Sequence, residues 1–350
     1  MQKRAILTVT YSLLLIVMSA CGDAVEFDPA VREPDNSDIA DDELLADDEY
    51  SDDDNADDYS GDESDDDYAV DDEADDDEAD DDEADDDSDA SSGLDVDADC
   101  SSEALGADDE FEFLTAYRVT NGELGQVCFG SADSTLESAW RELETITPRG
   151  QLSDLALFAA FASKSSSDED TLAFVTAVDD EASAFQMSIN LDTYEADANE
   201  ASLTLAHEFA HVFTSIDSQI DRTVFAAEDC DAYYNGEGCF RDDSIMAQWV
   251  ALFWGDGLID EINPDEEPPG GAGEDRCDRN PGFFGPYAAS NPEEDFAEAF
   301  SAYVYRLDAD TEAQQAKLDW IDSQPGLAEF RDRAVNAGLG PLDNNFDRCG

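Results

Sequence analysis

Hydrophobic positions follow regular patterns from about residue 110 onwards. Residues 184–191 alternate strictly, with Phe185, Met187 and Ile189 on one side and polar residues on the other, and this alternation predicts a strand. Two strand-like runs within residues 111–130 flank Asn121-Gly122, which is a hairpin signal. A further strand is predicted at 171–178. The continuous apolar run 152–162 fits either a buried strand or a helix.

Other segments have the spacing of helices. Residues 134–146 predict a helix with Ser134 as its N-cap and Glu137 as the capping-box partner. A helix is also predicted over 199–215, with an apolar stripe on one side. The remaining predicted helices lie at 244–256, from 291 onwards, at 311–323 and at 327–337. We expect Trp249 and Trp254 to belong to the core. Strands followed by helices predict one α+β domain over residues 101–350.

The predicted helix 199–215 contains the sequence HEFAH, an HExxH motif. His207 and His211 are four residues apart, so both imidazoles project from one face and can reach one tetrahedral zinc ion. Glu208 lies beside the first of these ligands and can act as a general base on water. The chain has only two histidines, and both belong to this motif. An accidental match is therefore the weaker interpretation.

Two histidines leave a catalytic zinc one protein ligand short. No third histidine exists, and the predicted helix that begins at Asn291-Pro292 offers carboxylates instead. Glu294 and Glu298 are four residues apart on one face, which suits Glu294 as a ligand and Glu298 as an acceptor that orients a ligand. The alternative is that these acids form a solvated face, because acidic residues are favoured at a helix N-terminus.

The two segments together resemble the gluzincin metallopeptidases. An HExxH followed by a later helix with ExxxE, and the stretch YAASNPEEDFAEAF, are similar to the catalytic domain of anthrax lethal factor and related zinc peptidases. The resemblance implies a zincin-like fold with a small mixed sheet. It covers only residues 207–213 and 287–300.

The resemblance also assigns roles to individual residues. It implies that Glu294 is the third zinc ligand, that Glu298 supports the site, and that Tyr287 donates a hydrogen bond in the transition state. Asp295 stands where the family has an aromatic residue, so Asp295 is a rival ligand. In such folds the strand before the metal helix presents an edge, and we therefore expect 184–191 to pair with an extended peptide.

The N-terminal hundred residues differ in composition from the rest. Lys3 and Arg4 precede an apolar stretch that ends in Met18-Ser19-Ala20-Cys21, which predicts a signal peptide over 1–20 and resembles a bacterial lipobox with Cys21 as the lipidated residue. The alternatives are ordinary cleavage by signal peptidase and an uncleaved anchor. Residues 23–100 hold 40 acids and one base, and contain an EADDD repeat. We expect 21–100 to be a disordered, acidic linker, with calcium capture as the alternative.

Cysteine parity agrees with lipidation at Cys21. The chain has seven cysteines, and removing Cys21 leaves six, enough for three disulfides in an oxidising compartment. Cys230 and Cys239 bracket a short glycine-containing loop and are the best pair. Pairs Cys100–Cys128 and Cys277–Cys349 would then join the two ends of the domain. No CxxC occurs, which argues against a zinc ribbon.

These observations predict an exported, lipid-anchored zinc endopeptidase at the bacterial cell envelope or outer surface. We expect a monomer that binds one zinc ion, no other cofactor, and a protein or peptide substrate. The net charge of −76 excludes nucleic acid and allows membrane contact only through the anchor. The competing hypothesis is a non-catalytic module, displayed on the surface or binding cations, that keeps the zincin fold.

Overall fold

A five-stranded mixed sheet with helices packed on one face organises the chain. The computed structural model describes residues 98–108, 110–164, 171–179, 181–255, 257–264, 271–343, 346 and 349. The predicted signal peptide, Cys21 and nearly all of the predicted linker lie outside these residues. The strands are β1 (Phe111–Thr120), β2 (Glu123–Gly130), β3 (Leu155–Ser163), β4 (Ala173–Ala177), β5 (Phe185–Asn190), β6 (Ile220–Asp221) and β7 (Cys239–Phe240).

Eight α-helices occur within the described part of the chain. They are α1 (Ser134–Ile146), α2 (Leu191–Ala196), α3 (Ala198–Thr214), α4 (Ile245–Phe253), α5 (Ala272–Arg279), α6 (Pro292–Val304), α7 (Glu312–Ser323) and α8 (Ala328–Asn336). The predicted helices match α1, α3, α4, α6, α7 and α8 to within a few residues. Helices α2 and α5 were not predicted, because both are short and polar. The α+β class is confirmed.

The main sheet has the strand order β2-β1-β3-β5-β4, and β6 and β7 form a separate ribbon. Strands β3 and β5 are parallel, and the other neighbours are antiparallel. The predicted hairpin is confirmed: Thr120 pairs with Glu123, and Asn121 and Gly122 have φ of 53° and 72°. Positive φ at both loop positions is the geometry that Asn-Gly favours.

Residues 184–191 form a strand as predicted, but the prediction that this strand lies at an edge of the sheet is wrong. Strand β5 pairs with β3 on one side and with β4 on the other. Its polar face is also buried, and Gln186 Nε2 donates to the carbonyl of Leu105 at 2.9 Å. Among the described residues the outer strands of this sheet are β2 and β4, so a peptide that extends it would pair there.

The start of α1 also differs from the prediction. Asp133, not Ser134, is the N-cap, and its carboxylate accepts hydrogen bonds from the backbone amides of Thr135 and Leu136. Glu137 accepts from the hydroxyl of Tyr117 at 3.0 Å and does not close a capping box. Both Asp and Ser are good N-caps, and only the backbone position of the first turn selects between them.

The ambiguous run 152–162 is mostly strand. A single 3₁₀ turn, Leu152–Asp154, leads into β3, which lies at the centre of the sheet. Successive residues of β3 enter two different cores. Leu155 and Phe158 belong to the core beneath the helices, whereas Leu157 and Phe161 pack with Phe111 and other residues on the opposite face. Burial on both faces explains why the run shows no alternation.

Three disulfides join the six cysteines of the described residues. The pairs are Cys100–Cys128, Cys230–Cys239 and Cys277–Cys349, as predicted. The first ties the segment before β1 to β2, and the second closes a loop of nine residues ahead of α4. No helix of the described residues is both long and apolar enough to cross a bilayer.

Candidate metal centre

Helix α3 brings both histidines into the interior. Asp197 caps the helix by accepting from the backbone amides of Asn199 and Glu200. From Leu203 to Thr214 every residue is buried, which is the pattern of a helix surrounded by other elements. His207 and His211 lie one turn apart with their ring centroids at 4.9 Å.

Helix α6 supplies a carboxylate to the same place. Asn291 caps α6 by accepting from the backbone amide of Glu294 at 2.9 Å, and Pro292 occupies the first helical position. Phe296 and Phe300 pack against Phe213 of α3, at 6.1 and 5.1 Å between ring centroids. This packing fixes the two helices side by side.

Three ligand atoms converge between α3 and α6. Nε2 of His207 lies 3.0 Å from Oε2 of Glu294 and 3.1 Å from Nε2 of His211, and Nε2 of His211 lies 3.4 Å from the same carboxylate oxygen. Metal–ligand distances of about 2.0–2.1 Å in a tetrahedral site place ligand atoms about 3.3 Å apart. The three side chains therefore fit a zinc ion. Among the described residues, they form a group that could hold a metal.

The electrostatics of this group favour a positive charge at its centre. Burial, partly opposed by Glu294, lowers the pKa of His207 to about 4. Burial also acts to lower the pKa of His211, but the nearby carboxylates, first of all Glu294, outweigh it and raise this pKa to about 9. Burial would raise the pKa of Glu294, yet the charge of His211 and the hydrogen bonds from both imidazoles lower it to about 2. A buried carboxylate keeps its charge only when a cationic group lies beside it, as His211 does here.

Glu208 is buried without a hydrogen-bond partner. Its side chain is completely inaccessible, and neither carboxylate oxygen is hydrogen-bonded within the described structure. Burial, reinforced by the charge of Glu294 and opposed by His211, raises the pKa of Glu208 to about 8. A buried polar group with no partner is rare in a folded protein and calls for a role.

Glu298 and Tyr287 lie on the other sides of His207. Oε1 of Glu298 is 3.7 Å from Nδ1 of His207, on the ring edge away from Glu294. The Tyr287 ring lies 5.9 Å from the His207 ring and precedes α6 in the chain. Burial and the charges of Glu294, Glu208 and Glu298 raise the pKa of Tyr287 well above its usual value, so its hydroxyl keeps its proton. The structure thus gathers every predicted site residue except Cys21, which lies outside the described residues.

Asp295 lies outside this group. It is completely buried, and its carboxylate accepts from Lys317, Trp249 and Trp254. The rival assignment of Asp295 as a ligand therefore does not match the structure. The alternative of a solvated acidic face is also wrong, because Glu294 and Glu298 are only 2% and 6% exposed.

Two contacts near the site were not predicted. Tyr233, in the loop closed by Cys230–Cys239, donates to Oε2 of Glu293 at 2.7 Å and so joins that loop to the first turn of α6. Arg276 of α5 is buried and donates to the backbone carbonyls of Ala289 and Ser290, just before α6. Neither contact has a signal in the sequence, because the burial of Arg276 is seen only in the structure.

Comparisons with known proteins give little further information. No protein-family model matches the chain, and no curated protein is similar to it in sequence. A solved structure named a "putative zinc-binding metallo-peptidase", from Bacteroides caccae, is similar with 14% identity and a TM-score of 0.25. The match covers 58% of this chain and 64% of the length of that structure. Similarity at this level carries no argument about function, which rests on the site residues.

Proposed function

We propose that this protein is a zinc-dependent endopeptidase of zincin-like fold. The convergence of His207, His211 and Glu294 in a buried site, with the unpartnered carboxylate of Glu208 next to the first histidine, is the observation that carries the proposal. A site that merely stored a cation would have no use for a buried carboxylate without a partner. Glu208 therefore favours hydrolysis over the alternative of a non-catalytic, cation-binding module.

Each residue has a role in peptide hydrolysis. Zinc in such a site supplies a Lewis acid, which makes water more acidic and polarises the substrate carbonyl. Glu208 removes a proton from the attacking water and delivers it to the leaving amine. Tyr287 keeps its proton and donates a hydrogen bond to the negatively charged oxygen that develops. Glu298 orients His207.

Glu208→Gln tests this function most directly. The variant keeps the size of the side chain and cannot accept the proton, so we expect zinc content to be retained and hydrolysis of a mixed fluorogenic peptide library to fall at least about 100-fold. Glu112→Gln, which removes an exposed carboxylate on β1, is the control and should leave both unchanged. Wild-type protein that binds zinc and cleaves no peptide would favour the non-catalytic module instead.

We also propose that the chain is exported and anchored by lipid at Cys21. The support is the positively charged N-terminus, the short apolar stretch, and the fact that three disulfides use the other six cysteines of the sequence. Two acyl chains would be needed for stable anchoring. Mass spectrometry of the membrane fraction should find an acylated Cys21, and Cys21→Ser should block processing or release soluble protein. An unmodified N-terminal Cys21, or wild-type protein found wholly soluble, would contradict the anchor.

A further inference from the structure

A buried polar cluster lies one residue beyond Glu294. Asp295, at 0% exposure, accepts from Nζ of Lys317 at 2.5 Å through Oδ1. Its Oδ2 accepts from Nε1 of Trp249 and from Nε1 of Trp254, both at 3.0 Å. Both carboxylate oxygens are thus occupied. Because successive residues of a helix are rotated by about 100°, Asp295 faces away from the histidines that Glu294 meets.

The cluster joins three helices at the first turn of α6. Trp249 belongs to α4 and Trp254 is the C-cap of that helix, whereas Lys317 belongs to α7. Lys317 is 4% exposed and is one of three lysines in the chain. Phe296, the next residue of α6, packs on Trp249 with ring centroids 5.2 Å apart. The turn that carries Glu294 is therefore held by α4 and α7 as well as by α3.

The same cluster also reaches the segment that carries Tyr287. Nζ of Lys317 lies 4.4 Å from the centre of the Phe283 ring, and Trp254 packs against that ring at 5.3 Å. Gln314, one turn before Lys317 on α7, donates to the backbone carbonyl of Phe283 at 2.7 Å. Phe283 precedes Tyr287 by four residues. One buried ion pair is thus in contact with both chain segments that complete the site.

The chemistry of the pair argues for positioning more than for stability. Burying two charges is unfavourable unless they are well paired, and replacing a buried ion pair by apolar residues is often neutral or stabilising. An apolar cluster could therefore join these helices equally well. Apolar contacts have no preferred direction. An ion pair that also accepts from two indole N–H groups is directional, so it holds the four groups in one arrangement.

We propose that the Asp295–Lys317 pair is a positioning device that aims Glu294 and Tyr287 at His207. The inference rests on the proposed zinc site and adds to it a pair that touches neither metal nor substrate. Its action is geometric: the pair fixes the rotation of the first turn of α6 and the position of the segment before it.

The decisive variant is Asp295→Asn/Lys317→Met, which removes both charges, nearly keeps the volume of both side chains and retains an oxygen that can accept from an indole. Zinc affinity would be measured by competition with a chelator, coordination geometry by the visible spectrum of the cobalt-substituted protein, and stability by unfolding of the metal-free chain. We expect zinc affinity about 10- to 100-fold below wild type and a shifted cobalt spectrum, as for other residues that orient ligands. Unfolding should resemble that of the wild type.

Single variants and a distant control complete the test. Asp295→Asn and Lys317→Met leave one buried charge unpaired, so they should lose both stability and zinc affinity. Phe161→Leu, in the core on the other face of the sheet, should lose stability and keep wild-type affinity and spectrum. A double variant with wild-type affinity and spectrum would overturn the positioning role while leaving the zinc site intact. Wild-type protein that binds no zinc would overturn the proposed function, and the inference with it.

Discussion

His207 has a different carboxylate beside each of its ring nitrogens. Glu294 lies at hydrogen-bond distance from Nε2, whereas Glu298 lies 3.7 Å from Nδ1. Nδ1 of His207 and one oxygen of Glu298 have no hydrogen-bond partner in the described structure, although both are buried. In the proposed zinc site the two carboxylates would therefore have separate tasks, Glu294 as a metal ligand and Glu298 behind the imidazole.

Glu298→Gln should weaken zinc binding without abolishing it. The amide keeps an oxygen near Nδ1, but it lacks the charge that makes the imidazole a better ligand, so we expect a loss of about 10-fold or more. Glu294→Ala should lose the metal almost completely, because it removes a ligand. Chelator competition on both variants measures the difference. Equal losses would show that Glu298 itself binds the metal.

Asp154 should make the stability of the fold depend on pH. Burial raises the pKa of Asp154 to about 6, so the folded state favours the protonated form. Its stabilising contribution is present below about pH 4, near the ordinary pKa of aspartate, and is lost as the pH rises through 6. Asp154→Asn should therefore unfold at a higher temperature than wild type at pH 7, and this advantage should vanish by about pH 4.

An exposed carboxylate provides the comparison for Asp154. Glu112→Gln removes the same formal charge from an exposed position on β1. Its unfolding temperature relative to wild type should therefore not change between pH 4 and 7. Thermal unfolding of the three proteins across this range measures the effect. If Asp154→Asn changed the unfolding temperature by the same amount at every pH, burial would not be raising the pKa of Asp154.

At the scale of secondary-structure elements, the N-terminus of α6 couples the stability of the fold to metal binding. Asn291→Ala removes the cap of α6 and leaves the backbone amide of Glu294 without its partner, which should cost about 1 kcal/mol of stability. Zinc affinity should fall as well, because that turn carries Glu294. Chemical denaturation and chelator competition measure the two effects.

Helix α1 offers a control for this prediction. Asp133 caps α1 in the same way, by accepting from the backbone amides of Thr135 and Leu136. Asp133→Ala should therefore cost a similar free energy of unfolding and leave zinc affinity nearer to wild type. Equal losses of zinc affinity in both variants would show that the effect is a general consequence of lower stability.

At the scale of the whole molecule, the disulfides should contribute unequally. Cys277–Cys349 closes 72 residues and Cys230–Cys239 closes nine. Loop-closure entropy predicts that replacing both cysteines of a pair by alanine costs about 4 kcal/mol for the longer loop and about 3 kcal/mol for the shorter one. Denaturant unfolding of the two double variants tests this order. The reverse order would mean that local contacts, such as Tyr233 with Glu293, outweigh chain entropy at the shorter loop.

The acidic composition also acts on the whole molecule. Residues 101–350 alone hold 52 acids and 13 bases, so the domain repels anions. Cationic peptides would be attracted, and their capture would weaken with salt.

Local patterns determined much of this protein in advance. The hairpin at Asn121-Gly122, the helix that carries His207, Glu208 and His211, and the pair Cys230–Cys239 follow from short-range spacing and residue chemistry. The tertiary structure decided the rest. Residues 152–162 are mostly strand and not helix, and β5 lies inside the sheet. Glu294 points toward the histidines, whereas Asp295 points toward Lys317. Each of these outcomes depends on contacts between residues far apart in the chain, and no local periodicity encodes them.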